Sequence, residues 1–252
     1  MLTFRNAGRR LVLAAFVYAA LIQLSRGEEK PLHVFILSGQ SNMAGMNPKV
    51  GFEDEAAKLF PDAEVQYFKV ARGGQPIRLW VKQWDEIAGK HGLEAKRAET
   101  KYYQPILDEY KKTVDEHGDP ASVTFCWMQG ERDAKEGLSA AYFDALSQLV
   151  ENLRRDLKQP DMNVVIARLS DFGDAANTHW QATRKAQVDL AKQDPHGAWV
   201  DCDDLNNKEK NGVVRNDLHY TREGYELLGR RFARQAKALI DGKQPAENGR
   251  PE

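Results

Sequence analysis

Cysteine is nearly missing from this chain of 252 residues, which holds only Cys126 and Cys202. Two thiols cannot make a disulfide framework. Each follows β-branched or aromatic neighbours, Val123-Thr124-Phe125 before Cys126 and Ala198-Trp199-Val200-Asp201 before Cys202, which is the setting of a buried free thiol. Neither the cysteines nor the six histidines show metal-ligand spacing, so no metal site is expected. An excess of one charge is missing too: 36 Lys and Arg stand against 37 Asp and Glu, leaving no field to draw in nucleic acid or an anionic membrane. No apolar run reaches the roughly 20 residues of a spanning helix, so no stable membrane span is expected. Internal repeats and an interdomain linker are absent, and oligomeric state leaves no mark. These absences point to one domain acting on a small or neutral molecule.

The longest apolar run, Leu11 to Leu24, follows Arg5, Arg9 and Arg10 and ends near Ser25 and Gly27. Basic residues, a short apolar stretch and small residues in that order form a signal peptide over residues 1–27, cut after Gly27. No cysteine stands at the end of the run, which argues against a lipid anchor. The exported domain is then expected over residues 28–243, in a secreted or periplasmic protein. From Gln244 onward Pro, Gly, Asn and Glu dominate, so residues 244–252 are expected to form a disordered tail.

Short runs rich in Val, Ile, Phe and Trp alternate with longer stretches of helical period, the pattern of an α/β fold with a mostly parallel sheet. Strands are expected over His33 to Leu37, Val65 to Val70, Val123 to Met128, Asn163 to Leu169 and Ala198 to Val200. Helices are expected over Tyr142 to Lys158, Trp180 to Gln193 and Glu223 to Ile240. The charged stretch Lys82 to Glu99, with Gly89 and Gly92, reads as a loop or broken helix.

Chemistry gathers where the strands end, the edge of a parallel sheet at which sites form. The first strand runs into Ser38-Gly39-Gln40-Ser41-Asn42-Met43-Ala44-Gly45. A serine there exposes its hydroxyl beside free backbone N–H groups, although Ser41 or Asn42 could equally cap a helix. The second strand runs into Ala71-Arg72-Gly73-Gly74-Gln75, where paired glycines let a backbone N–H approach a carbonyl or simply make a turn. The third runs into Gln129-Gly130-Glu131, whose Gln129 amide can also donate. Ahead of the last helix stand Asn216-Asp217-Leu218-His219-Tyr220-Thr221, a histidine with a carboxylate nearby.

Taken together, Gly39-Gln40-Ser41-Asn42-Met43, Gly73-Gly74, Gln129-Gly130-Glu131 and Asp217-Leu218-His219 resemble the SGNH (GDSL-type) hydrolases. Within these they look like the sialate O-acetylesterase and acetylxylan esterase branch, carbohydrate esterase family six, over about residues 32 to 240. The resemblance implies a three-layer α/β/α flavodoxin-like fold with a five-stranded sheet. It implies a serine esterase that removes O-acetyl groups from a carbohydrate such as sialic acid or xylan without a cofactor. By position, Ser41 is the nucleophile and His219 the base. The oxyanion donors are the Ser41 N–H, an N–H of Gly73 or Gly74, and the Gln129 side chain, with Gln40, Asn42 and Glu131 in support. Asp217 would orient His219, but many relatives place that carboxylate three residues before the histidine, where this chain has Asn216, and Glu131 is a second candidate. A general short-chain carboxylesterase or lipase, and a non-catalytic carbohydrate-binding protein, are the competing functions. Exported material is expected to begin near Glu28 by intact-mass analysis; a full-length chain retained in the cytoplasm would contradict the signal peptide.

Overall fold

In the computed structural model the chain divides into two units, residues 1–31 and 32–252, and residues 30–94, 99–173 and 176–250 are described. The expected signal peptide lies outside the described residues. The second unit contains the whole of the sheet.

Five strands form it: β1 (Leu32–Gly39), β2 (Glu64–Ala71), β3 (Ser122–Met128), β4 (Asn163–Ala167) and β5 (Gly197–Val200). They are all parallel and lie in the order β2-β1-β3-β4-β5. Every residue of β1 is buried, as an apolar run covered on both faces should be. Period-two alternation divides the strands between two cores. Val34 and Ile36 of β1, Val123, Phe125 and Trp127 of β3, and Val164 and Ile166 of β4 face one layer. Phe35, Leu37, Cys126, Met128, Val165 and Ala167 face the other.

The helices α3 (Trp84–Lys90), α4 (Tyr103–His117), α6 (Ser139–Asp156) and most of α7 (Thr178–Gln193) cover the first core. The second is covered by α1 (Ser41–Gly45), α2 (Phe52–Leu59) and α8 (Arg222–Ile240), and the short α5 (Glu131–Lys135) sits at the rim. This is the three-layer α/β/α arrangement that the sequence suggests. The three long helices begin one to three residues earlier than their apolar period. Two of them start at polar caps outside that period: Asn177 accepts from the Trp180 N–H and Thr221 from the Gly224 N–H.

Three expectations need correction. Within the charged stretch from Lys82, α3 is a regular helix with Trp84, Ile87 and Ala88 buried. A hairpin of β6 (Asn207–Lys210) and β7 (Val213–Asn216) stands just before the Asp217 segment, turning at Asn211 and Gly212, both at positive φ. Residues 244–250 are held in place rather than disordered. The Asn248 carbonyl accepts the Asp201 N–H at 2.7 Å, Gln235 donates to the Ala246 carbonyl at 2.8 Å, and Arg250 pairs with Asp201 at 3.3 Å. Composition missed them because their partners, Asp201 just past β5 and Gln235 on α8, lie outside the segment.

Both thiols are buried and free, in the same layer. Cys126 lies in β3 and Cys202 two residues beyond β5, and β4 runs between those strands, a lateral gap of about 9–10 Å, whereas a disulfide needs Cα atoms within about 7 Å. Burial raises both pKa values, that of Cys202 to about 12. The native protein is therefore expected to resist thiol reagents, and the denatured, unreduced protein to titrate two thiols; finding none would require a different strand order.

Candidate active site

The order 2-1-3-4-5 reverses direction at β1, and the crevice beyond the ends of β1 and β3 is where such sheets bind ligands. Past their last regular pairs the strand ends are stitched together. The Gln40 N–H donates to the Met128 carbonyl at 2.9 Å and the Arg72 N–H to the Gly39 carbonyl at 3.1 Å. Gly39 has φ +146, and a Cβ there would lie 1.9 Å from the Met128 oxygen, so only glycine allows β1 and β3 to approach this closely. Ser41 then opens α1 at the crevice, partly exposed. Gly73 lies directly beside it: a Cβ on Gly73 would stand 3.6 Å from the Ser41 Cβ. Gly74, at φ +70, faces open space.

The glycine loop is held from behind by buried polar groups. The Asp133 carboxylate accepts the Ile77 N–H at 3.0 Å. The Gln129 amide donates to Asp133, to the Gln75 carbonyl at 3.0 Å and to the Gln40 Oε1 at 3.3 Å, while the Arg132 N–H also reaches Gln40 Oε1 at 3.2 Å. Gln129 is fully buried, and its backbone carbonyl is gripped by the Tyr142 hydroxyl at 2.6 Å and the Gln187 amide at 2.7 Å. An amide has two N–H bonds, and both are engaged within this frame. The structure thus places Gln129 behind the Gly73-Gly74 loop, where donation to an oxyanion would cost it these partners.

Asn42 connects the two ends of the chain. Its Nδ2 donates to Glu131 Oε1 at 2.9 Å and to the Leu218 carbonyl at 3.1 Å. Its Oδ1 accepts the Tyr220 N–H at 3.3 Å and the Tyr225 hydroxyl at 3.1 Å. The residues before and after His219 are therefore fastened to the residue after Ser41, and His219 itself is exposed at the rim. Glu131 is buried, its second oxygen has no hydrogen-bond partner, and burial raises its pKa to about 7 despite the bond from Asn42. Asp133 is raised to about 7 for the same first cause.

Asp217 lies at the surface of this loop. Its Oδ1 accepts the His219 backbone N–H at 3.0 Å and its Oδ2 lies 3.4 Å from Lys208 of β6. The His219 N–H is the chief reason its pKa is lowered, with Lys208 and the His219 charge adding to it. The carboxylate thus shapes the turn that presents His219, and Glu131 reaches the same loop only through Asn42. Sequence reasoning missed Asp133, Tyr225 and Asn206, which holds the Asp217 carbonyl at 2.9 Å. The spacing Glu131-x-Asp133 beside a glycine was a usable signal for the first; the others are ordinary residues until the fold brings them together.

No curated protein matches the chain. Among solved structures, a protein from Arabidopsis thaliana superposes with a TM-score of 0.60 at 20% identity, over 85% of this chain and 100% of that one. A novel carbohydrate acetylesterase from Xanthomonas citri superposes with a TM-score of 0.59 at 17% identity, over 83% of this chain and 57% of that one. At such identities both show the fold. Residues 45–238 match the family model for carbohydrate esterase, sialic acid-specific acetylesterase, beginning four residues after Ser41. That match covers well over half of the 252 residues, and the chain belongs to this family of carbohydrate esterases.

Proposed function

We propose that the protein is exported and removes O-acetyl groups from a carbohydrate, such as sialic acid or xylan, through an acyl-serine intermediate. The observation that carries this reading is the Asn42 bridge, which fastens the His219 turn to the residue following Ser41. His219 takes the Ser41 proton, and the Ser41 oxygen attacks the acetyl carbonyl. The backbone N–H groups of Ser41 and of Gly73 or Gly74 hold the resulting oxyanion. Collapse expels the sugar oxygen, which receives the proton from His219. A water molecule then repeats the sequence on the acyl-serine and releases acetate. Gln40, Gln129, Asn42 and Glu131 position these groups. Asp217 sets the His219 turn and places a negative charge where the imidazolium forms.

Acetate release from a panel of acetylated glycans tests the activity. Ser41→Ala and His219→Ala are expected to lower turnover on the order of 10⁴-fold. Asp217→Asn keeps an acceptor for the His219 N–H but loses the charge, so its expected loss is about 10- to 100-fold, or one to two steps of 1.4 kcal/mol. A loss near 10⁴-fold would place the carboxylate on the imidazole nitrogen instead, and full activity would remove Asp217 from the mechanism.

Glu131 adds a pH dependence whose sign follows from burial. The folded protein keeps the Glu131 proton up to about pH 7, whereas an unfolded chain loses it near 4.3. Between these values the folded state binds more protons, so stability falls as pH rises through this window and levels off above it. Asp133 acts in the same direction. Glu131→Gln is therefore expected to reduce the drop in melting temperature between pH 5 and pH 8. Asn42→Asp turns a donor into an acceptor opposite Glu131 and the Leu218 carbonyl, and is expected to cost turnover beyond its effect on melting. Wild-type kinetics in folded Asn42→Asp would show that the bridge does not position His219.

A further inference from the structure

A cavity of about 430 Å³ lies between α1 and α8, lined by Gly45, Asn47, Val50, Arg222, Tyr225 and Glu226. Two larger clefts, about 800 and 510 Å³, both reach Asp194 and Pro195 just before β5, at the end of the sheet opposite the catalytic rim. The 430 Å³ cavity adjoins both catalytic segments. Gly45 is four residues after Ser41 in α1, so the two share a helix face about 6 Å apart along the axis. Arg222 is three residues after His219 and lies on one face of α8 with Tyr225 and Glu226.

The walls are built in advance by close backbone contacts. A Cβ on Gly51 would lie 2.3 Å from the Glu226 carbonyl oxygen, and one on Gly229 would lie 2.8 Å from the Phe52 nitrogen, so the chain from α1 to α2 sits tightly on α8. A Cβ on Gly45 would meet the Tyr225 ring and hydroxyl at 2.8 Å. Lacking a side chain there, the Tyr225 ring comes against α1 while its hydroxyl reaches Asn42.

The lining suits one kind of occupant. Tyr225 supplies an aromatic surface, and Asn47 is exposed at the cavity. Arg222 and Glu226 are paired at 3.5 Å, so together they offer donors and an acceptor without net charge. An apolar ring face beside paired donors and acceptors matches a sugar, with CH groups on one side and hydroxyls at the edge. The volume falls within the roughly 300–1,000 Å³ of small-molecule sites.

We propose that this cavity is the subsite for the sugar ring that carries the acetyl group presented to Ser41, an inference that rests on the esterase reading above. Asn47 and Arg222 bind its hydroxyls and Tyr225 supports its face. The test compares 4-nitrophenyl acetate, which has no sugar, with acetylated xylo-oligosaccharide or O-acetylated sialoside, whichever the wild type turns over faster. Asn47→Ala and Arg222→Ala are expected to lower kcat/KM on the glycan at least tenfold more than on the aryl ester, mainly through KM. The deacetylated glycan is expected to inhibit aryl-ester hydrolysis competitively, and at least tenfold less well in the variants. Equal losses on both esters, or inhibition unchanged by either substitution, would overturn the subsite. A wild-type protein inactive on every acetyl ester would overturn the esterase reading itself.

Discussion

The side chain of Asn42 is the constraint on which the site depends. The mechanism proposed above needs Ser41 and His219 in register, yet the two come from opposite ends of the chain, and Asn42 bonds to residues 176 and 178 positions away. The His219 turn has little apolar surface of its own, since Leu218 is half-buried and only Tyr220 is buried. Asn42 compensates with its full hydrogen-bonding capacity, two donors and two acceptor lone pairs, all of them engaged. Of the polar side chains, only Asn and Gln offer two N–H donors together with an oxygen of two lone pairs on one rigid plane, and the longer Gln would overreach partners already at 2.9–3.3 Å. The position follows Ser41 directly, so whatever orients Asn42 also orients Ser41.

A second polar frame holds the glycine loop. Gln40, Gln129 and Asp133 form a buried chain that ends on the Gln75 carbonyl and the Ile77 N–H. This places the Gly73 backbone beside Ser41 with no side chain between them. Burying two carboxyl groups, Glu131 and Asp133, is costly, and their raised pKa values express that cost. The molecule sacrifices stability near neutral pH for a frame whose members cannot drift, because each would leave a buried partner unsatisfied.

The sheet was legible because its physics is local. Continuous apolar runs mark strands covered on both faces, and all five appear where Val, Ile, Phe and Trp cluster, with β4 ending at Ala167, two residues short of the expected Leu169. The β6–β7 hairpin escaped because neither of its faces is buried: Lys208 stands opposite Arg215 and Lys210 opposite Val213, with no apolar alternation to read. The Asn211-Gly212 pair was the usable signal, since both residues must take positive φ in a tight hairpin turn. For residues 244–250, order depends on Asp201 and Gln235, and no property of the segment itself announces it.

At the site, residue types were legible and directions were not. Ser41, Asn42 and Gly73 lie at one rim as their strand-end positions suggest, because a parallel sheet carries every strand's C-terminal end to the same edge, while the His219 turn, which follows the separate hairpin, is tied to them through Asn42. Which way an amide or a carboxylate points is settled by its competitors. Gln129 turns toward the buried Asp133 carboxyl group and the Gln75 carbonyl, the acceptors that face it behind the glycine loop. Asp217 turns back to its own chain because the His219 N–H is two residues away, the short reach that Asp side chains favour. From two residues before the histidine, the carboxylate closes a turn on the backbone of His219. The hydrogen bonds that tie this turn to the Ser41 end of the chain come instead from Asn42, which holds the Leu218 carbonyl and the Tyr220 N–H on either side of His219.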